Sequence, residues 1–304
     1  MAEEGDPRDG LPAVYRDLVV YANGQYLRGA HPTVSIWDHG FLYGDGFFEG
    51  IRLYDGRLFK LAAHLERFYQ SAKFLRIEVP VDPATLQDII IEVVRRNGLR
   101  NAHVRPIVTR GVGAPALGHI LDCRPSLFVL ANPHPDPTRR PVRCLISTVR
   151  RKAPGSVDAR VKSLNYLDSV LARLQAYAAG YDDAIMLDDG GLVAEGTGAN
   201  LFLVERNQTV VTPTVEASLD GVTRRAVMQL ATDAGFIVVE RRVTPGDVYL
   251  ADELFLTGTG QDLTPIGEVD GRVIGGGTIG PVTVELATRY DALKMTGDVL
   301  DVYA

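Results

Sequence analysis

Asn132-Pro133-His134-Pro135-Asp136-Pro137-Thr138-Arg139-Arg140-Pro141 holds four prolines in ten positions. Proline fixes φ and removes a backbone donor, so the stretch reads as a stiff, extended connector between two domains. At 304 residues the chain exceeds the size at which a single core stops growing, so two domains are expected from length alone. The expected division is a small N-terminal domain over 1–131, a linker over 132–141 and a larger C-terminal domain over 142–304.

Upstream of the connector, Asn23-Gly24 separates Leu18-Val19-Val20-Tyr21 from Gln25-Tyr26-Leu27, and Asp55-Gly56 separates Ile51-Arg52-Leu53-Tyr54 from Arg57-Leu58-Phe59. Both are hairpin signals. Leu61, Leu65, Phe68 and Phe74 then recur in a run free of Gly and Pro, and Asp82-Pro83 opens a second periodic run, Leu86, Ile89, Ile90, Val93 and Val94, closed at Gly98. These predict two helices. His103–Thr109 and Ser126–Leu130 read as strands, which makes this half α+β and mostly antiparallel. Downstream, strands are predicted at Val142–Val149, Leu201–Val204, Phe236–Glu240 and Glu253–Thr257. Helices are predicted near Tyr166–Ala179, Thr223–Gly235 and Pro281–Met295, with a turn at Asp188-Asp189-Gly190-Gly191. The fold class is α+β.

A net charge of −6 gives no electrostatic reason to expect nucleic acid or an anionic membrane as partner. No apolar run approaches a membrane span. The acidic start Met1-Ala2-Glu3-Glu4-Gly5-Asp6 lacks the layout of a signal peptide and reads as a short flexible segment. Cys123 and Cys144 show no metal-ligand spacing, so neither a disulfide framework nor a metal site is expected, and the expected compartment is the cytoplasm.

Only five residues are lysines: Lys60, Lys73, Lys152, Lys162 and Lys294. A lysine before a helix is ordinarily a solvated charge. Lys162, however, sits between Val161 and Leu164, ahead of a stripe of Leu167, Val170, Leu171 and Leu174. Apolar surroundings would lower its pKa and free the amine for Schiff-base chemistry. The other four read as surface charges. Ala194-Glu195-Gly196-Thr197-Gly198-Ala199-Asn200-Leu201-Phe202 sets an acid in a Gly-rich turn, where backbone or a flat ligand approaches closely. Leu219-Asp220-Gly221-Val222-Thr223-Arg224 feeds a helix N-terminus, and Leu256-Thr257-Gly258-Thr259-Gly260-Gln261 follows a strand with hydroxyls and accessible amides. Both suit a phosphate, though either alone is weak. Neither matches a nucleotide-binding loop.

In this order the segments resemble the fold-type IV enzymes that depend on pyridoxal 5'-phosphate (PLP), most closely the branched-chain amino acid aminotransferases. The resemblance spans about Tyr21 to Leu293. It also rests on Tyr43-Gly44-Asp45-Gly46-Phe47-Phe48-Glu49-Gly50-Ile51-Arg52, His64-Leu65-Glu66-Arg67 and Lys162-Ser163-Leu164-Asn165-Tyr166. It implies a small α/β sandwich domain, a larger pseudo-barrel domain and a homodimer. Lys162 would be the catalytic amine, joined to the cofactor and shuttling the proton between Cα and C4′. Glu195 would pair with the pyridine nitrogen and Tyr166 with the ring hydroxyl. Arg67, Leu219, Val222, Thr223 and Thr259 would complete the cofactor site, Arg67 by charge-assisted bonds to phosphate. Tyr43, Phe48, Gly50, His103, Arg105 and Gly260 would meet the substrate, with Arg105 on a distal carboxylate.

The implied reaction is reversible amino transfer between branched-chain L-amino acids (Leu, Ile, Val) and 2-oxoglutarate, by way of pyridoxamine phosphate. His103 departs from the family, which has tyrosine there; histidine is shorter, can carry charge and places its donor differently. The loop Gly111–Cys123, implied to close the site, also has no familiar counterpart. Alternatives within the fold are a D-amino-acid aminotransferase, an (R)-selective amine transaminase and an aminodeoxychorismate lyase. A non-catalytic scaffold would be expected to lack Lys162 or Glu195.

Overall fold

The computed structural model describes residues 12–28 and 32–304; the acidic start and His31 lie outside them. The chain divides into two compact units. The first runs up to Pro135 and includes Lys162–Asn165 and Asp298–Ala304; the second holds Asp136–Val161 and Tyr166–Gly297. Two distant segments therefore join the N-terminal unit, which a single cut at the proline-rich stretch does not anticipate. Within that stretch Asn132 and Pro133 end a strand, and 134–141 has no regular structure.

Unit 1 begins with α1 (Ala13–Arg16), followed by β1 (Val19–Ala22) and β2 (Gln25–Arg28). Their turn residues Asn23 and Gly24 both have positive φ (47° and 92°), as a tight two-residue hairpin requires. Then come α2 (His39–Tyr43), β3 (Gly46–Phe48), β4 (Ile51–Tyr54), β5 (Arg57–Phe59), α3 (Leu61–Leu75), α4 (Pro83–Arg96), β6 (Ala102–Val112) and β7 (Arg124–Pro133). Among the described residues these strands and Val299–Asp301 form one antiparallel sheet, ordered Val299–Asp301, β5, β4, β6, β7, β1, β2, with β3 also paired to β6.

Alternation on the strands divides the side chains. Phe47, Ile51, Leu53, Ala102, Val104 and Val108 join the core with Leu65 and Phe68 of α3 and Leu86, Ile90 and Val94 of α4. Phe48, Arg52, His103 and Arg105 alternate with them and so face the other side of the sheet. Phe74, predicted on the buried stripe of α3, is exposed; Leu61, Leu65, Phe68 and Ala72 form that stripe, and position 74 falls off its 3.6-residue period. Trp37 is also exposed.

Unit 2 contains β8 (Val142–Ile146), α5 (Leu167–Ala178), β9 (Asp183–Leu187), β10 (Val193–Gly196), β11 (Asn200–Glu205), β12 (Thr209–Pro213), α6 (Val222–Asp233), β13 (Ile237–Arg241), α7 (Pro245–Leu250), β14 (Glu253–Gly258), β15 (Asp262–Val269), β16 (Arg272–Val273) and α8 (Pro281–Thr296). The sheet order is β10-β9-β8-β15-β14-β11-β12-β13, with β16 on β15. The β8–β9 and β12–β13 pairs are parallel, bridged by α5 and α6 as parallel neighbours require. β10 returns against β11 and β12 without a ladder, so the sheet curls. β9, β11 and β14 are buried on both faces, which explains their unbroken apolar runs. β15 escapes a sequence reading because Pro265 and Gly267 interrupt it.

Two expectations change here. Large side chains of α5, Leu167, Val170, Leu171 and Leu174, are exposed; its buried residues are Ser169, Ala172 and Ala176. The stripe is therefore an exposed face and not part of a core. Lys294, read as a surface charge, is buried on α8 with Nζ 3.0 Å from Asp262 and 2.8 Å from Asp291, and Arg139 also binds Asp291 at 2.7 Å. Removing one partner of such a pair is costly because a carboxylate stays behind in low dielectric. Lys294→Met is expected to lose on the order of 3 kcal/mol, read as a lower urea midpoint with unchanged slope. No helix among the described residues is long and apolar enough to cross a membrane.

Candidate active site

In unit 1, Lys162 is placed by backbone pairing. Phe48 N–H donates to Lys162 O at 3.0 Å and Leu164 N–H to Gly46 O at 2.9 Å, so residues 162–164 run as an extra antiparallel strand beside β3. The Lys162 Nζ lies 4.7 Å from the Phe48 ring centre, and the Arg105 guanidinium lies 4.8 Å from the same ring. His103 shares the face of Arg105, two residues along β6, and stands opposite Arg52 of β4 in the ladder. Gly50 is required beside it: a Cβ there would come within 2.6 Å of His103 Nε2. Lys162, Phe48, Gly50, His103 and Arg105 thus form one cluster. Tyr43 lies apart from those contacts, exposed on α2 and edge-on to His39.

His103 is not the cation its chemistry allows. Burial first, then Arg105, His134, Arg52 and Lys162, push its imidazole down to about 3. It is therefore neutral at physiological pH.

Behind the cluster, Glu49 holds Arg67. The guanidinium donates from Nε (2.6 Å) and Nη2 (2.9 Å), and His64 Nδ1 bonds the same carboxylate at 2.9 Å. Burial opposes the charge on Glu49, but Arg67 and the His64 hydrogen bond overcome it and hold the carboxyl well below its usual range. Burial pushes His64 down, so the ring is neutral and its Nδ1–H donates to Glu49. His64 supports Arg67 through Glu49, a role the sequence did not assign to that acid.

In unit 2, Glu195 is buried on β10. Its Oε1 accepts from Arg151 Nε (2.7 Å) and Nη2 (2.6 Å), while Oε2 accepts from Leu219 N–H (3.2 Å) and Asn200 Nδ2 (3.3 Å). Arg151 also reaches Asp168 at 2.7 Å. Burial works against its charge, but Glu195 and Asp168 prevail and raise its pKa further. Asn200 ties the rest together: it donates to Leu219 O at 2.7 Å, pairs with Thr257 across the ladder, and its Oδ1 stands where a Cβ on Gly221 would come within 2.1 Å. Gly221 caps α6 with no side-chain bond, which leaves the first-turn N–H groups of Val222 and Thr223 without a side-chain cap. The Thr257 hydroxyl is buried without a partner. Thr259 and Gly260 lie half-buried in the β14–β15 turn. Tyr166 precedes α5, with Lys152 Nζ 5.5 Å from its ring.

These unit 2 residues fit a ring carrying an anionic group. An uncapped helix N-terminus and an orphaned hydroxyl suit phosphate, and a buried carboxylate suits a cationic nitrogen. Of the other acids in this unit, Asp183 binds Arg173 and Thr197, and Asp188 receives the Leu192 N–H across its turn.

A profile of the family described as Amino-transferase class IV matches residues 46–269. The chain belongs to the class IV aminotransferases. A Methanocaldococcus jannaschii protein, provisionally named a branched-chain-amino-acid aminotransferase, is 43% identical over 278 residues, 91% of this chain and 96% of that protein. The branched-chain-amino-acid aminotransferase of Pseudomonas aeruginosa is 36% identical, across 90% of this chain and 92% of that protein. A crystal structure of the T.th. branched-chain amino acid aminotransferase complexed with N-(5'-phosphopyridoxyl)-L-glutamate has a TM-score of 0.89 at 35% identity, covering 94% of this chain and 99% of that one. The same enzyme with pyridoxamine 5'-phosphate matches at 36% identity. This aminotransferase has the α+β fold-type IV architecture, with the curled unit 2 sheet as a half-barrel, and PLP is its cofactor.

Arg151, Asn200, Thr257 and Glu49 were not singled out by sequence. Arg151 follows Arg150 and precedes Lys152, a run that looks solvated until the fold buries one member. Glu49 and Asn200 lie inside quoted motifs, but a motif does not reveal which side chain holds its neighbours.

Proposed function

We propose that this class IV aminotransferase reversibly transfers the amino group between branched-chain L-amino acids and 2-oxoglutarate. The observation that carries the reading is the Phe48 ring with the Lys162 amine and the Arg105 guanidinium both against it. One group can act on the substrate Cα while the other meets a distal carboxylate. PLP, when bound, supplies an electron-accepting pyridinium ring. Lys162 is the amine that would hold it, and its Nζ would carry the proton at the substrate Cα. Glu195 would keep the ring nitrogen protonated, and Tyr166 would bond the ring hydroxyl. Val222, Thr223, Thr259 and Leu219, with Arg67, would hold the rest of the cofactor. His103, Gly50, Tyr43 and Gly260 shape the substrate pocket. The exposed apolar residues of α5 support a homodimer, since patches of this kind are where chains associate.

The test is a set of half-reactions with the PLP-loaded protein, followed by cofactor absorbance. L-leucine, L-valine and L-glutamate are expected to convert it to the pyridoxamine form. D-alanine and (R)-1-phenylethylamine are expected to leave it unchanged within the same minutes. Faster conversion by either of those two would replace the branched-chain reading with a D-amino acid or amine specificity.

A further inference from the structure

Resting on the reading just given, we propose that His103 takes up a proton when a second carboxylate of the substrate docks beside Arg105, and so selects dicarboxylic from apolar side chains as a function of pH. The geometry is a half-buried imidazole set among cations. Arg105 lies two residues along the same strand face, Arg52 stands directly opposite on β4, and Lys162 approaches through the shared Phe48 ring. His134 faces His103 with ring centres 6.0 Å apart, and its backbone carbonyl accepts from Arg52 Nη1 at 2.9 Å. The nearby acid between β3 and β4, Glu49, is already bound by Arg67 and His64. Asn132, opposite His103 on β7, carries no charge. A side chain at Gly50 would collide with the imidazole, its Cβ coming within 2.6 Å of Nε2.

Burial and this ring of positive charge keep the imidazole neutral in the free site. A carboxylate placed among the same groups reverses the balance. It offsets the guanidinium charges and offers an acceptor to a second N–H of the ring, which only the protonated form possesses. The His103 pKa then rises on binding. Linkage fixes the sign: a ligand that raises a pKa binds more tightly as pH falls through the raised value, by at most about tenfold per pH unit. Above that value the advantage is gone. An apolar side chain in the same pocket removes water and adds no anion, so it leaves the ring neutral and its affinity independent of this group.

The experiment uses the PLP-loaded enzyme with two non-reacting acids, glutarate and 4-methylvalerate. Calorimetric titrations near pH 6.5 are made in buffers of different ionisation enthalpy, which read protons taken up on binding. Glutarate is expected to take up a substantial fraction of one proton and 4-methylvalerate close to none. His103→Asn is expected to abolish the difference, while His134→Asn keeps it. In steady state, the ratio of KM for 2-oxoglutarate to KM for 4-methyl-2-oxopentanoate is expected to fall several-fold between pH 8.5 and 6.0 in the wild type and to stay level in His103→Asn. Equal proton uptake for both acids, or uptake that follows His134, overturns the proposal. Those outcomes are separate from failure of the functional reading, which shows as no conversion of the holoenzyme by L-leucine or L-glutamate.

Discussion

Lys162→Ala is expected to reduce amino transfer to the background rate of the free cofactor, with the loss of proton transfer alone accounting for roughly 10²–10⁴-fold. Of the five lysines, Lys73 is exposed, Lys60 lies over the Phe59 ring and Lys294 is bound to Asp262 and Asp291. Lys152, beside the Tyr166 ring, is the one rival, so Lys152→Ala is the control and is expected to retain the covalent cofactor link. Lys162 is half-buried, and its position is set by main-chain bonds from Phe48 and Leu164 that a substitution at Cβ leaves intact. Stability should therefore change by no more than about 1 kcal/mol, and loss of activity cannot be assigned to unfolding. Borohydride reduction of the PLP-loaded proteins, followed by peptide mass analysis, reads the link directly. A Lys162→Ala protein that still trapped cofactor on Lys152 and turned over normally would remove the lysine assignment.

How far the sequence reached depends on the range of the interaction concerned. Hairpin turns and the buried face of α4 were legible because they arise from residues within one turn or one helix: Asn23-Gly24 must take positive φ, and Leu86, Ile89, Ile90, Val93 and Val94 share one face. The family was legible from the order of its motifs. Two kinds of feature were not. One was burial decided by distant chain, as with Lys294 against Asp262 and Arg151 against Glu195, where the same residue type is ordinarily solvated. The other was the face an element presents. The α5 stripe has helical period, which fixes that its residues lie together and leaves open whether they turn inward; Ala172 and Ala176 took the inner position because a close helix–sheet approach admits small side chains. His103 belongs to a third case. Its departure from the family was visible, but its charge state depends on Arg52, which is brought opposite only by the β4–β6 ladder.

Glu195→Gln is expected to lower kcat by about 10²–10³-fold, the usual consequence of removing one preorganised charge from a reacting centre, and to weaken PLP retention. Glutamine preserves the size of the side chain, so the loss follows from donors and charge. The native carboxylate accepts at both oxygens, from Arg151 on one side and from Leu219 N–H and Asn200 Nδ2 on the other. An amide has one oxygen to offer, and its NH2 must point at a donor in either orientation. One set of buried N–H groups then faces another donor, a defect worth about 1–3 kcal/mol. Arg151 keeps Asp168, which limits the damage to the fold. On the proposed mechanism the larger effect is chemical, because a neutral amide no longer holds a proton on the pyridine nitrogen. The two contributions separate in measurement: thermal unfolding of the cofactor-free protein reads the first, and kcat at saturating PLP and substrate reads the second. Glu195→Asp, which keeps the charge on a shorter arm, is expected to recover part of kcat while losing a similar amount of stability. A Glu195→Gln enzyme whose kcat fell only in proportion to its loss of folded protein would reduce Glu195 to a partner of Arg151 and leave the ring nitrogen to some other group.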